Sequence, residues 1–271
     1  MKAEVVSFRR GALWIAEGGR LFRVAPLAWL ALVVLYWMLM SLLGALPGIG
    51  LPASAGVALA AMLVPAFSVG FMCAARSAAQ ERAPRIAELF VAFRSGLPVQ
   101  LALGATYAAL LALVLGATAL ADGGALARWM VAGEQPEEGM LHSAGFRLAL
   151  LVAAAGYAPV MMLYWFAPVL AAWHGTGAAK ALFFSFVAVL INWRAFLGYG
   201  LATTLVAVVI PFGVLMAVLL AGGAKLRAFA AGLVLAVLLV LLPILYGSFF
   251  ASYRDIFGKA AGGAAPDPTP H

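Results

Sequence analysis

Apolar residues along this chain gather into six long blocks, near 25–46, 51–75, 97–121, 146–172, 195–221 and 228–252. Crossing the hydrocarbon core of a bilayer as a helix takes about 20 apolar residues, and every block is long enough. A seventh apolar run, Ala181–Ile191 within KALFFSFVAVLINWR (180–194), is only eleven residues long. Runs of about 10–14 have the length of interfacial, re-entrant or buried segments, so this one is predicted to lie under the spans without crossing. Pro47, Gly48, Gly50 and Pro52 mark a tight turn between the first two blocks. The pattern predicts an all-α, polytopic membrane protein with six transmembrane helices.

Polar positions add detail just before the odd-numbered spans. Phe8, Ile15 and Phe22 recur at seven-residue spacing, with Arg9 and Arg20 on another side of the same helix. Ile86, Leu89, Phe90 and Phe93 share one helical face, Arg85 and Glu88 fall off it, and Pro84 suits a first helical position. Helices of this kind lie in the membrane interface, apolar side toward the acyl chains. Residues 180–192 are the third such segment by position and the most apolar, with Lys180, Ser185 and Asn192 as polar members.

Each segment closes on an aromatic–Arg pair: Phe22-Arg23, Phe93-Arg94 and Trp193-Arg194. AEGGRLFR (16–23) aligns with AELFVAFR (87–94) without a gap. VPAFSVGFMCAAR (64–76) and LPILYGSFFASYR (242–254) place Pro65 and Pro243 each eleven residues before an arginine. The chain thus reads as one membrane domain, 1–258, built from three helical-hairpin repeats at about 5–76, 80–174 and 176–254. Each repeat opens with a cytoplasmic interfacial amphipathic helix. The middle one is lengthened by a loop at 122–145, and 259–271, ending GGAAPDPTPH, reads as a disordered tail.

Composition excludes a soluble domain. Hydrophobic residues make up 66% of the 271, charged residues 10%, and mean hydropathy is +1.06, against about a quarter charged in soluble domains. The net charge of +7 raises the question of nucleic acid, and its distribution answers it. With a cytoplasmic N-terminus, Lys2, Arg9, Arg10, Arg20, Arg23, Arg76, Arg82, Arg85, Arg94, Lys180, Arg194, Arg254 and Lys259 fall inside. Only Arg128, Arg147, Lys225 and Arg227 fall outside. This is the positive-inside pattern, and it predicts both termini in the cytoplasm and no nucleic-acid partner. The paired arginines of SFRRGAL (7–13) stand too far from a run of span length to be an export signal, and LPASAG (51–56) reads as a turn, not a cleavage site.

The NWR boundary (192–194), AKALFFSF (179–186), VPAFSVGFMCAAR and FRRGALWIAEG (8–18) resemble an uncharacterised proteobacterial family of six-helix inner-membrane proteins, named only after a locus tag. More distantly, the repeat is similar to the YciC-like proteins and to the membrane domain attached to some glycerophosphodiester phosphodiesterases. The resemblance covers nearly the whole chain. It implies this fold and a multi-pass location in the bacterial inner membrane, and it implies no catalytic residues.

No ionisable residue stands near the middle of a predicted span, which disfavours a charge-driven transporter. Ser68, Thr106, Tyr107, Tyr157, Tyr164, Tyr199, Thr203, Thr204, Tyr246 and Ser248 are uncharged polar groups within spans, either bonding between helices or lining a cavity. Pro65, Pro159, Pro168, Pro211 and Pro243 also lie within spans, where each removes a helix hydrogen bond. Kinked spans serve packing or frame a substrate site. The 122–147 loop carries Met130, Glu134, Glu137, Glu138, Met140 and His142 in a spacing that matches no metal cage. No catalytic fingerprint occurs, the lone Cys73 cannot form an intrachain disulfide, and neither metal nor cofactor is predicted.

What remains is a basic cytoplasmic collar of Arg9, Arg10, Arg20, Arg23, Arg82, Arg85, Arg94 and Arg194 with Trp193, joined by Arg76 and Arg254 at the cytoplasmic ends of even-numbered spans. Besides setting topology, each such charge attracts an anionic leaflet by about 1 kcal/mol. The expected protein is non-enzymatic, lipid-interacting or scaffolding, with membrane lipids, anionic ones included, as partners. A permease for a neutral or amphipathic solute and an accessory subunit of a membrane complex are the alternatives. A protein partner and self-association are left open. Labelling of single cysteines placed along 180–192 is expected from the cytoplasmic side alone; accessibility from both sides would overturn the repeat and the topology together.

Overall fold

The computed structural model describes residues 2–221 and 224–261. Regular structure among them is helical. In chain order the helices are α1 (Phe8–Val24), α2 (Pro26–Gly44), α3 (Ala53–Ala79), α4 (Val91–Arg94), α5 (Leu97–Asp122), α6 (Ala125–Ala132) and α7 (Glu138–Leu141). Then come α8 (Ala144–Tyr164), α9 (Ala167–His174), α10 (Ala178–Ile191), α11 (Trp193–Thr204), α12 (Ile210–Ala221) and α13 (Ala224–Ala261). A 3-10 turn, Ile86–Phe90, leads into α4, and a π turn, Leu205–Val209, joins α11 to α12.

Six stretches among the described residues are long and apolar enough to cross a bilayer. They are α2, α3, α5, α8 with α9, Trp193–Gly213 across α11 and α12, and Leu239–Gly258 within α13. These follow the six sequence blocks in order, and α10, with 14 residues, stays below span length. Leu120 on α5 is 93% exposed and Leu27 on α2 is 82% exposed. Side chains of that kind on most spans would make a soluble protein aggregate, whereas hydrocarbon is their natural surroundings.

The structure departs from the sequence expectations at several boundaries. α13 is one helix of 38 residues, about 57 Å long, and it contains the span-length stretch Leu239–Gly258, which overlaps the 228–252 block. It continues through Ala261 where a disordered tail was expected from 259; the rest of that tail, 262–271, lies outside the described residues. Pro84 does not start a helix but precedes the 3-10 turn by two residues, and Ile86 is left exposed. The 122–145 loop contains two short helices because Asp122 caps the first. Its carboxylate accepts from the Gly124 N–H at 2.8 Å and the Leu126 N–H at 2.7 Å.

The chain forms two compact units. One comprises Met1–Leu35, Gly70–Leu89 and Ala188–His271 and is organised around α1, which packs on α11 and α13. The face of α1 buried in the protein is Gly11, Trp14, Ile15, Gly18 and Leu21, while Phe8 of the Phe8–Ile15–Phe22 stripe stays exposed. The reason is backbone approach. A Cβ on Gly11 would overlap the Ala195 carbonyl, and one on Gly18 the Ile244 carbonyl, so only glycine lets α1 settle against both helices. Trp14, fully buried, fills the angle between them with its ring centroid 5.4 Å from Phe196 and 5.9 Å from Tyr199. The Trp29 indole donates to the Leu21 carbonyl at 3.1 Å, tying the start of α2 back to α1.

The second unit, Tyr36–Val69 with Phe90–Val187, is organised around the α5–α8 pair. Pro168 has no N–H for the Tyr164 carbonyl, and the chain breaks between α8 and α9 at Trp165–Phe166. Within this break the Phe166 N–H would ordinarily donate to the Met162 carbonyl. Instead Ser185 of α10 inserts its hydroxyl, accepting from Phe166 N at 2.9 Å and donating to the Met162 carbonyl at 2.8 Å. Gln100 of α5 donates to the Pro168 carbonyl at 3.0 Å. The break is thus sealed by side chains where water is absent. Replacing Ser185 by Ala is expected to lower stability in detergent by about 1–2 kcal/mol, read by thermal unfolding, and to raise protease sensitivity around 165–168. Unchanged values would show that the α8–α9 break closes without the hydroxyl.

Candidate functional site

A cluster of ion pairs among the described residues lies where α1 and α13 of the first unit meet. Arg10 of α1 donates to Asp255 of α13 through Nε at 2.6 Å and through Nη2 at 3.0 Å. The Trp14 indole donates to the same carboxylate at 2.8 Å, as a buried indole N–H requires an acceptor. Glu17, one helical turn above, pairs with Arg10 at 2.6 Å and with Arg254. The carboxylates are the buried members, Asp255 with 14% and Glu17 with 17% of the side chain exposed, while the arginines reach toward the surface. The hydrogen bond to Asp255 raises the Arg10 pKa above its already high ordinary value; the charges of Asp255 and Glu17 add to this and burial opposes it. Arg10 therefore stays charged at any pH at which the protein is folded.

A second polar device holds the chain ahead of α1. Asn192, 1% exposed, accepts from the Val6 N–H at 2.7 Å and donates to the Glu4 carbonyl at 3.0 Å and the Ala188 carbonyl at 2.9 Å. One amide thus reads both polar groups of an extended segment, as a neighbouring strand would. The Glu4 N–H donates to the Ile256 carbonyl at 2.9 Å. Glu4–Ser7, Arg10, Arg254, Asp255 and Gly258 border an open cleft of about 590 Å³.

The collar arginines divide into two kinds. Arg10 and Arg254 are engaged in the network just described. Arg9, Arg20 and Arg23 are exposed and lie on the side of α1 away from its buried face; Arg23 Nε donates to the Gly19 carbonyl at 3.3 Å. Arg94 is exposed at the end of α4. Arg194 is exposed at the start of α11, its guanidinium 5.4 Å from the centroid of the exposed Trp193 ring. Arg76 is half-buried in the last turn of α3. Among the prolines, Pro65, Pro159 and Pro243 lie inside continuous helices, Pro168 opens α9, and Pro211 follows the π turn at the start of α12. These five are spread along different helices and do not form one site.

The chain is 40% identical over 267 residues to a protein of Burkholderia thailandensis named a probable inner membrane protein, covering 96% of this chain and 95% of the relative. The chain belongs to that family. It is accordingly a multi-pass protein of the inner membrane, in keeping with its six spans. No family model matches the chain, and no solved structure matches it.

Sequence reasoning missed Glu17, Ser185, Asn192 and Asp255 as organising residues. The available signal was weak: two acids in a chain with ten, each placed next to spans of an otherwise basic face. Asp255→Asn keeps the shape but removes the charge that holds Arg10. A loss of about 2 kcal/mol in thermal stability is expected, with increased trypsin cleavage at Arg9 and Arg10. Stability equal to the parent chain would mean that glycine packing alone seats α1.

Proposed function

We propose that this chain is a non-enzymatic, lipid-interacting protein of the inner membrane with both termini on the cytoplasmic side, whose exposed arginines hold anionic headgroups of that leaflet. The observation that carries this reading is the division among the arginines. Glu17 and Asp255, the acids between α1 and α13, are already matched to Arg10 and Arg254, and Arg9, Arg20 and Arg23 form a one-sided basic stripe on α1. Arg194 of the same unit and, in the second unit, Arg94 are each exposed beside an aromatic residue at the start of a span. Aromatic and basic residues at this position suit the headgroup level of a membrane.

The threefold repeat belongs to the same proposal. Three contacts support it: α1 seats on α13, Leu89 lies against Gly70 of α3, and Ser185 of α10 enters the α8–α9 break. In each case a short segment before one hairpin rests on the return helix of the hairpin before it, the first taking the last. Interfacial placement of these segments follows from their apolar and basic sides. A permease for a neutral solute is the competing reading, and the side-chain-sealed α8–α9 break is the observation in its favour.

Native mass spectrometry of the protein from membranes containing phosphatidylglycerol and cardiolipin tests the lipid reading. Retained anionic lipid is expected, and the Arg9→Gln/Arg20→Gln/Arg23→Gln variant is expected to lose it by roughly a hundredfold in affinity at low salt, at about 1 kcal/mol per arginine. Equal retention by parent and variant would overturn the assignment.

A further inference from the structure

In the second unit, α5 and α8 bring two tyrosine hydroxyls together: Tyr107 and Tyr157, 3.3 Å apart. Both lie deep. Tyr107 is about 15 Å along α5 from Leu97 and about 22 Å from Asp122, and Tyr157 is about 20 Å from Ala144 along its span and about 26 Å from His174. A hydrocarbon core is about 30 Å thick, so the pair sits near mid-bilayer.

Two hydroxyls carry two protons, and their mutual bond uses one. Neighbouring groups do not take the other. Thr106 donates to the Ala102 carbonyl at 2.8 Å, and Tyr164 donates to the Leu103 carbonyl at 2.8 Å. Among the described residues the second O–H has no acceptor, yet Tyr157 is 39% exposed. A donor left open to hydrocarbon is costly, and water, which would relieve it at a protein surface, is lacking at that depth. Charge is also lacking: α5 and α8 carry one charged residue each, Asp122 and Arg147, both at helix ends. The Tyr164 ring, 4.8 Å from that of Tyr107, adds a second aromatic surface beside the donor. Tyr36 stands thirteen residues after Arg23, as Tyr107 does after Arg94, and belongs to the same unit.

We propose that the Tyr107–Tyr157 pair is the polar end of a mid-membrane binding site for a neutral, bilayer-dissolved molecule that presents a carbonyl oxygen beside a flat ring, as an isoprenoid quinone does. The free O–H supplies the hydrogen bond, the aromatic rings the contact surface, and the absence of charge selects against ions and headgroups. The site goes beyond headgroup binding at the collar and does not depend on it.

The test uses the full chain in nanodiscs of neutral phosphatidylcholine, where collar binding to anionic lipid cannot contribute. Equilibrium binding of a labelled decyl-benzoquinone is compared with that of decylbenzene, which has the ring and tail but no carbonyl. Saturable quinone binding is expected, with a preference over decylbenzene of about tenfold. In the Tyr107→Phe/Tyr157→Phe pair the preference should fall to near parity, while Tyr157→Phe alone, which leaves the Tyr107 O–H unengaged, should keep it; circular dichroism and thermal unfolding stay unchanged in both. Loss of fold in the double variant would be countered by reading the parent chain's phenol O–H stretch by infrared difference spectroscopy, which should shift with the quinone and not with decylbenzene. No saturable binding, an undiminished preference in the folded double variant, or cross-linking of Tyr157→Cys to a second copy would overturn the proposal.

Discussion

The contact between Gly18 and the α13 backbone is the constraint on which the first unit depends. Two helices whose backbones touch have no freedom to slide by a side-chain width, so their register is set to within a fraction of a turn. Given that register, Arg10 and Glu17, seven residues apart on α1, face Arg254 and Asp255, adjacent on α13. The charges then act as a check on the packing rather than its cause. Half-exposed arginines contribute little as isolated surface pairs, but here each acid has two cationic partners and a geometry given by packed backbones.

The placement of acids and bases within that network is physically economical. Carboxylates are short and cannot reach solvent from a packed helix face, so they are buried and must be fully paired. Arginines are long, can cover apolar surface with their stems, and still reach the water layer. Burying the acids and surfacing the bases keeps every charge hydrated or matched, and it keeps the exterior of α1 net positive.

Much of the fold is legible in the sequence because run length is a one-dimensional signal. Six blocks of span length and one of eleven residues give six spans and one shorter helix without any knowledge of partners. The candidate site is less legible because partner choice is a three-dimensional property. Asp255 reads as a charge after a span, Asn192 as a boundary residue, and Ser185 as a stray hydroxyl in an apolar run. Their roles emerge only when Arg10, the Glu4–Val6 backbone and the gap after Met162 are brought opposite them. The face of α1 illustrates the same limit: seven-residue spacing marks Phe8, Ile15 and Phe22, whereas the approach to α11 and α13 turns on Gly11 and Gly18, which a hydrophobicity pattern overlooks.

The seat of α1 also has a consequence for how the protein is made. Half of its buried face belongs to α13, whose contacting residues follow some 230 positions later in the chain. At bacterial synthesis rates of about 5–20 residues per second, that separation is roughly ten seconds to a minute. Throughout that interval α1 exists with Trp14 and Gly18 unmatched, and the final span inserts into a chain whose beginning is still waiting for it. The protein is closed by its last helix.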